Sequence, residues 1–76
     1  MRTTIECIIY MGEKQYVAEC LDFPVITQGT TLDDTVANLK EAISLHLEDE
    51  NLSELGFVES PQIDIKFETG ELANVS

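Results

Sequence analysis

The chain is predicted to fold as one α+β domain, β-β-β-α-β, with a single helix packed on one face of a four-stranded mixed sheet of order 3-2-1-4. The first observation behind this is the hydrophobic period, which is two through residue 28, helical from about residue 31, and two again over 62–67. The second is the punctuation: Gly12, Pro24 and Gly29 divide the first part into short runs of β-forming residues. The third is length, since 76 residues suffice for one domain and not for two.

Residues 4–11 are rich in isoleucine, threonine and tyrosine and read as a first strand. A polar turn over 12–15 returns the chain into a second strand at 16–20. Pairing Met11 with Tyr16, Ile9 with Ala18 and Cys7 with Cys20 puts Ile5, Cys7, Ile9, Met11, Tyr16, Ala18 and Cys20 on one face. A slip of one residue would scatter that apolar set over both faces, so this register is preferred. Pro24 holds Phe23 extended, and 25–28 form a third strand. Gly29 then stands where the chain must turn, a place where glycine can adopt a positive φ at little cost.

Thr31 is the expected helix N-cap, with Asp33 and Asp34 favourably placed at the positive end of the helix dipole. Leu32, Val36, Leu39, Ile43 and Leu47 form one buried stripe, and the helix is expected to end near Asp49. Its last turn carries Glu48, Asp49 and Glu50, which oppose the dipole there and predict fraying. Residues 52–60 read as a connector with a short turn ending at Gly56. Over 62–67 the alternation is regular, with Ile63, Ile65 and Phe67 inward and Gln62, Asp64 and Lys66 outward. The domain is thus assigned to residues 1–67, and 68–76 to a loose polar tail. The last strand is expected beside the first.

One helix covers one face of such a sheet. The other face carries Thr4, Glu6, Ile8 and Tyr10 from the first strand, and Val17, Glu19 and Leu21 from the second. Glu6, Ile8, Tyr10, Val17 and Glu19 form the candidate contact surface, apolar at the centre and flanked by carboxylates. Scattered apolar residues on a solvated antiparallel face are common. A domain this small buries only roughly 60% of its unfolded surface, however, and contiguous exposed apolar groups usually mark contacts. Whether the contact is with a second copy, forming a homo-oligomer, or with a different protein is left open by these residues.

Fifteen acidic residues against four basic ones give a net charge of −11. Such a field repels phosphate backbones and anionic membranes, so neither a nucleic acid nor a membrane is expected as a direct partner. A basic protein is. No cofactor, metal or small-molecule substrate is expected, and no catalytic residue is assigned. His46 is the only histidine and has no nucleophile or ligand set around it. Glu6, Glu19 and Asp22 could approach one another as metal-binding carboxylates do, but no basic residues accompany them to hold a substrate. Cys7 and Cys20 are too few for a disulfide framework. With no apolar leader and no run of membrane-spanning length, the expected location is the cytoplasm, with both thiols reduced.

Tyr16, Ala18, Asp22, Pro24, Thr27, Gly29, Thr31, Leu32, Ala37, Asn38, Leu39, Glu41 and Ala42 fall into a recognisable order. A Tyr-x-Ala strand leads through an Asp-x-Pro turn and a Thr-x-Gly-x-Thr helix entry to an Asn-Leu-x-Glu-Ala helix. In that order and spacing the chain resembles the HicB-like antitoxin family over nearly all of 1–67. The resemblance implies a truncated RNase H-like fold and binding to a small basic HicA-type toxin, an mRNA-cleaving enzyme whose catalytic surface the antitoxin masks. It also implies the alternative of a solitary family member, homo-oligomeric and of structural or regulatory role. Two features depart from the pattern. Pro24-Val25-Ile26 stands where the family usually has Pro-Gly-Cys, and nothing after Phe67 is expected to form the DNA-binding module that full-length members often carry.

Overall fold

The structure, a computed structural model, describes residues 1–68. It contains β1 (Arg2–Met11), β2 (Tyr16–Cys20), β3 (Ile26–Gly29), α1 (Leu32–His46) and β4 (Phe57–Glu68). The sheet order is β3-β2-β1-β4, with β1–β2 and β2–β3 antiparallel and β1–β4 parallel. This is the β-β-β-α-β mixed sheet expected from the hydrophobic periods. Cys7 lies opposite Cys20, Ile9 opposite Ala18 and Met11 opposite Tyr16, the register that keeps the apolar residues together.

The core consists of Ile5, Cys7, Ile9, Ala18, Cys20, Val25, Leu39, Ile43 and Phe57. Met11 is a correction: it ends β1 at the sheet margin and is exposed. The helix packs on β3 and β2, so the inner face toward β4 is thinly covered. Ile63 and Ile65 are consequently half-buried, and Phe67, expected inward, is 48% exposed with its ring 6.1 Å from that of Tyr16.

Thr31 caps α1, its Oγ1 accepting from the Asp34 N–H at 3.0 Å. The buried stripe is rotated from the expected one. Thr35, Leu39 and Ile43 are buried, Val36 and Leu47 are half-buried, and Leu32 is exposed. Thr35 enters the interior because its hydroxyl donates to the Thr31 carbonyl at 2.6 Å and so brings no unsatisfied polar group with it.

Gly29 does not take a positive φ. It closes β3 in contact with the helix, where an added Cβ would lie 2.5 Å from Thr35 Oγ1. The positive-φ glycine is Gly56, at 88°. The helix ends at His46 rather than near Asp49, the next three residues forming turns. Asn51 Oδ1 accepts from the N–H and the hydroxyl of Ser53, starting the turn that Gly56 completes.

β4 starts at Phe57 instead of 62. Its first part is irregular, since Arg2 pairs with Phe57 and Thr4 with Gln62. Pro61 sits in that bulged stretch of an edge strand, where a missing N–H costs no ladder bond. Glu68 belongs to β4. The remainder of the expected tail, 69–76, lies outside the described residues. Among the described residues, no helix is long and apolar enough to cross a membrane.

Candidate functional site

The sheet face opposite α1 is laid out by the strand registers. Ile8 lies opposite Glu19 and Tyr10 opposite Val17 across β1 and β2, while Glu19 lies opposite Ile26 and Val17 opposite Gln28 across β2 and β3. On the other side Ile8 meets Lys66, Tyr10 meets Glu68 and Glu6 meets Asp64. Directly paired residues share a face, so Glu6, Ile8, Tyr10, Val17 and Glu19 are neighbours on one surface. All five are half-buried, and no described element covers them.

The centre of this face is held in place by its own polar edge. The Tyr10 hydroxyl donates to Glu19 Oε2 at 2.5 Å, diagonally across the two strands. That bond, together with burial and the nearby charges of Glu19 and Glu68, raises the Tyr10 pKa above its ordinary value. The phenol therefore stays neutral and its ring is fixed over the sheet beside Val17. Thr4 Oγ1 donates to Glu6 Oε2 at 2.8 Å and steadies the second carboxylate.

Two further apolar side chains extend the surface. Leu21 is 62% exposed and Ile26 is 65% exposed. Ile26 was missed in the sequence because Val25-Ile26 gives no clue which of the two faces the core. The β2–β3 register decides it, burying Val25 and leaving Ile26 beside Glu19. A shallow depression of about 360 Å³ lies between Val17, Ile26, Thr27 and Gln28. The surface is thus an apolar patch of Ile8, Tyr10, Val17, Leu21 and Ile26 framed by Glu6 and Glu19, suited to covering part of a protein and too flat to enclose a small molecule.

The carboxylate alternative does not assemble. Asp22 is committed elsewhere, its Oδ2 accepting from the Glu6 N–H at 2.9 Å and its Oδ1 ion-paired with Arg2 Nη2 at 2.6 Å. Arg2 in turn lies over the Phe57 ring at 4.8 Å, tying β1 to the start of β4. Among the described residues no three histidine, cysteine or acidic side chains are placed to hold a metal ion. His46 closes the helix, exposed, with its ring 5.5 Å from Phe23.

Cys7 and Cys20 are buried, free and directly opposite. Burial pushes the Cys7 thiol up to about 12, helped by Cys20, Asp22 and Glu6, so it is an inert packing group. A cleft of about 890 Å³ lies away from the sheet face between the helix end and β4. Glu48, Asp49, Glu50 and Glu59 line it beside Phe57 and leave it strongly negative.

Comparison of the chain with protein-family models, with curated proteins and with solved structures finds no match in any of the three. The fold and the face define a small acidic α+β domain in which, among the described residues, one side of the sheet is uncovered. Several residues that carry the HicB-like resemblance have structural work in this fold. Gly29 and Thr31 seat the helix on β3, and Asn38 Nδ2 donates to the Gln28 carbonyl at 2.9 Å.

Proposed function

We propose that this chain is an antitoxin-like binding module that sequesters a basic, HicA-type mRNA-cleaving toxin in the cytoplasm, acting by masking and without catalysis or cofactor. The observation that supports this best is the apolar patch of Ile8, Tyr10, Val17, Leu21 and Ile26 with Glu6 and Glu19 at its margin, on a protein of net charge −11. A basic RNA-binding surface presents clustered cations, and the carboxylates at the margin of this face offer their electrostatic complement. The apolar centre would supply contact area, and the carboxylates would neutralise toxin cations otherwise used on RNA phosphates. The resemblance to HicB-like proteins supplies the partner class.

The test is to mix the purified chain with a HicA-type toxin, then measure complex formation and mRNA cleavage. The reading expects stoichiometric inhibition, lost in a Val17→Glu/Ile26→Glu variant that remains folded by circular dichroism. Inhibition unchanged in that variant removes the face from the mechanism, and no complex with wild type removes the antitoxin reading. The second reading, a solitary homo-oligomer of structural or regulatory role, is favoured by the thinly covered apolar residues of β4.

A further inference from the structure

We propose that two copies of this chain pair antiparallel through the outer edge of β4, about a two-fold axis at Ile65, extending the sheet across both. The proposal is independent of which partner the opposite sheet face takes.

β4 is an end strand of the sheet, so among the described residues nothing pairs with its outer edge. Natural edge strands are normally blunted by proline, bulges or brevity. Here proline and bulge are confined to one half, and the other half is blunted only by charged side chains, among which Asp64 and Lys66 are of opposite sign. Pro61 and the irregular pairing between Arg2 and Thr4 disturb the stretch before Gln62. From Gln62 to Glu68 the strand is in regular register with β1, and among the described residues its outer edge is unpaired. Its inward side chains are short of cover as well, Ile63 and Ile65 being half-buried and Phe67 exposed.

The sequence of this half-strand selects the partner and the register. Antiparallel pairing centred on Ile65 sets Ile65 against its copy, Ile63 against Phe67, and Asp64 against Lys66, each twice by symmetry. Apolar residues meet apolar residues on the inner face, and opposite charges meet on the outer one. Moving the centre to Asp64 or to Lys66 sets two like charges face to face, and a shift of one residue turns one sheet inside out. Asp64 and Lys66 are both exposed and project from the face opposite α1, so they are free to make these cross-strand pairs. The net charge of −11 opposes any self-association, but it acts at long range and is screened beyond about 8 Å at physiological salt. One strand pair covers less than a standard interface of about 1,600 Å², so association is expected at micromolar concentration.

Sedimentation over a concentration series up to roughly several hundred micromolar, the range of weak interfaces, reads the equilibrium. The expected result is a monomer–dimer equilibrium in wild type. Asp64→Lys should weaken it about tenfold or more, two opposite-charge pairs having become like-charge pairs. This is expected although the substitution lowers the overall negative charge, so loss of the dimer cannot come from net repulsion. The double variant Asp64→Lys/Lys66→Asp restores the pairs in reversed order and should recover the wild-type dimer. A monomer at every concentration overturns the proposal, as does an Asp64→Lys dimer of wild-type strength or a folded double variant that stays monomeric. Val17→Glu serves as the control on the opposite face: an intact dimer is expected, and its loss would move the contact away from β4.

Discussion

At position 29 a single methyl group separates a tolerated residue from a damaging one. A Cβ there would lie 2.5 Å from Thr35 Oγ1 and 2.9 Å from the Thr35 amide nitrogen, atoms fixed by the first turn of α1. Gly29→Ala must therefore push the helix off β3, and overpacking of this kind costs about 1–3 kcal/mol. Urea denaturation should show a lower midpoint with the slope unchanged, the unfolding free energy falling by that amount. Neither Gly29 nor Thr35 was legible in this role, because hydrophobic patterning registers apolar residues and a close approach between glycine and threonine leaves no apolar trace. Cys7 gives a second residue-scale expectation. Its pKa rises from 9.0 to about 12 on folding, chiefly through burial. Below pH 9 the thiol is protonated in both states and the full stability is present. As pH rises from about 9 towards about 12 the unfolded chain releases its proton first, so stability falls through that window. Tyr10, also raised, adds to the loss. Thermal melts from about pH 8 to about pH 11 should decline less steeply for Cys7→Ala, each variant being referred to its own stability at neutral pH.

At the scale of elements, what the residues announced clearly was pairing. The β1–β2 register followed from the single arrangement that keeps Ile5, Cys7, Ile9, Ala18 and Cys20 together, and all five are buried. Ends were harder to read. The start of β4 was hidden by Ser60-Pro61, which looks like a connector, yet an edge strand tolerates proline at a bulge. The helix end was placed about one turn late because Leu47 continues the apolar stripe. Leu47 instead caps the helix, its N–H donating to the Ile43 carbonyl, while Glu48, Asp49 and Glu50 follow against the negative end of the dipole. Glu48→Lys replaces a repelled charge with an attracted one and should stabilise the protein by about 0.3–1 kcal/mol, an effect that added salt diminishes. Chemical denaturation at low and high salt checks both the sign and the screening.

The whole molecule is dominated by its charge. The face opposite α1 was legible in outline, since alternation alone places Glu6, Ile8, Tyr10, Val17 and Glu19 together. Leu21 belongs to the same alternation, but the full width was not legible, because Ile26 joins the face only through the β2–β3 register. What that face can bind is limited by the field around it. Arg2, Lys14, Lys40 and Lys66 are the only basic side chains besides His46, and Arg2 is already paired with Asp22. Binding that neutralises several phosphates needs several clustered cations, each releasing counterions. Four scattered ones within a net charge of −11 do not supply them, so approach of a polyanion is opposed before contact. The purified chain is therefore expected to leave an oligonucleotide unshifted in a mobility assay at physiological salt. For a basic protein partner the same field is attractive at a distance, and association should slow as salt rises while dissociation, governed by the buried apolar patch, changes less. Stopped-flow mixing with a HicA-type toxin between low and physiological salt separates the two rates. Were dissociation to carry the salt dependence instead, the carboxylates Glu6 and Glu19 rather than the apolar centre would be the main holding contacts. A salt-sensitive shift of oligonucleotide by the chain alone would refute the masking mechanism itself, since the phosphates would then be competing for this protein rather than for its partner.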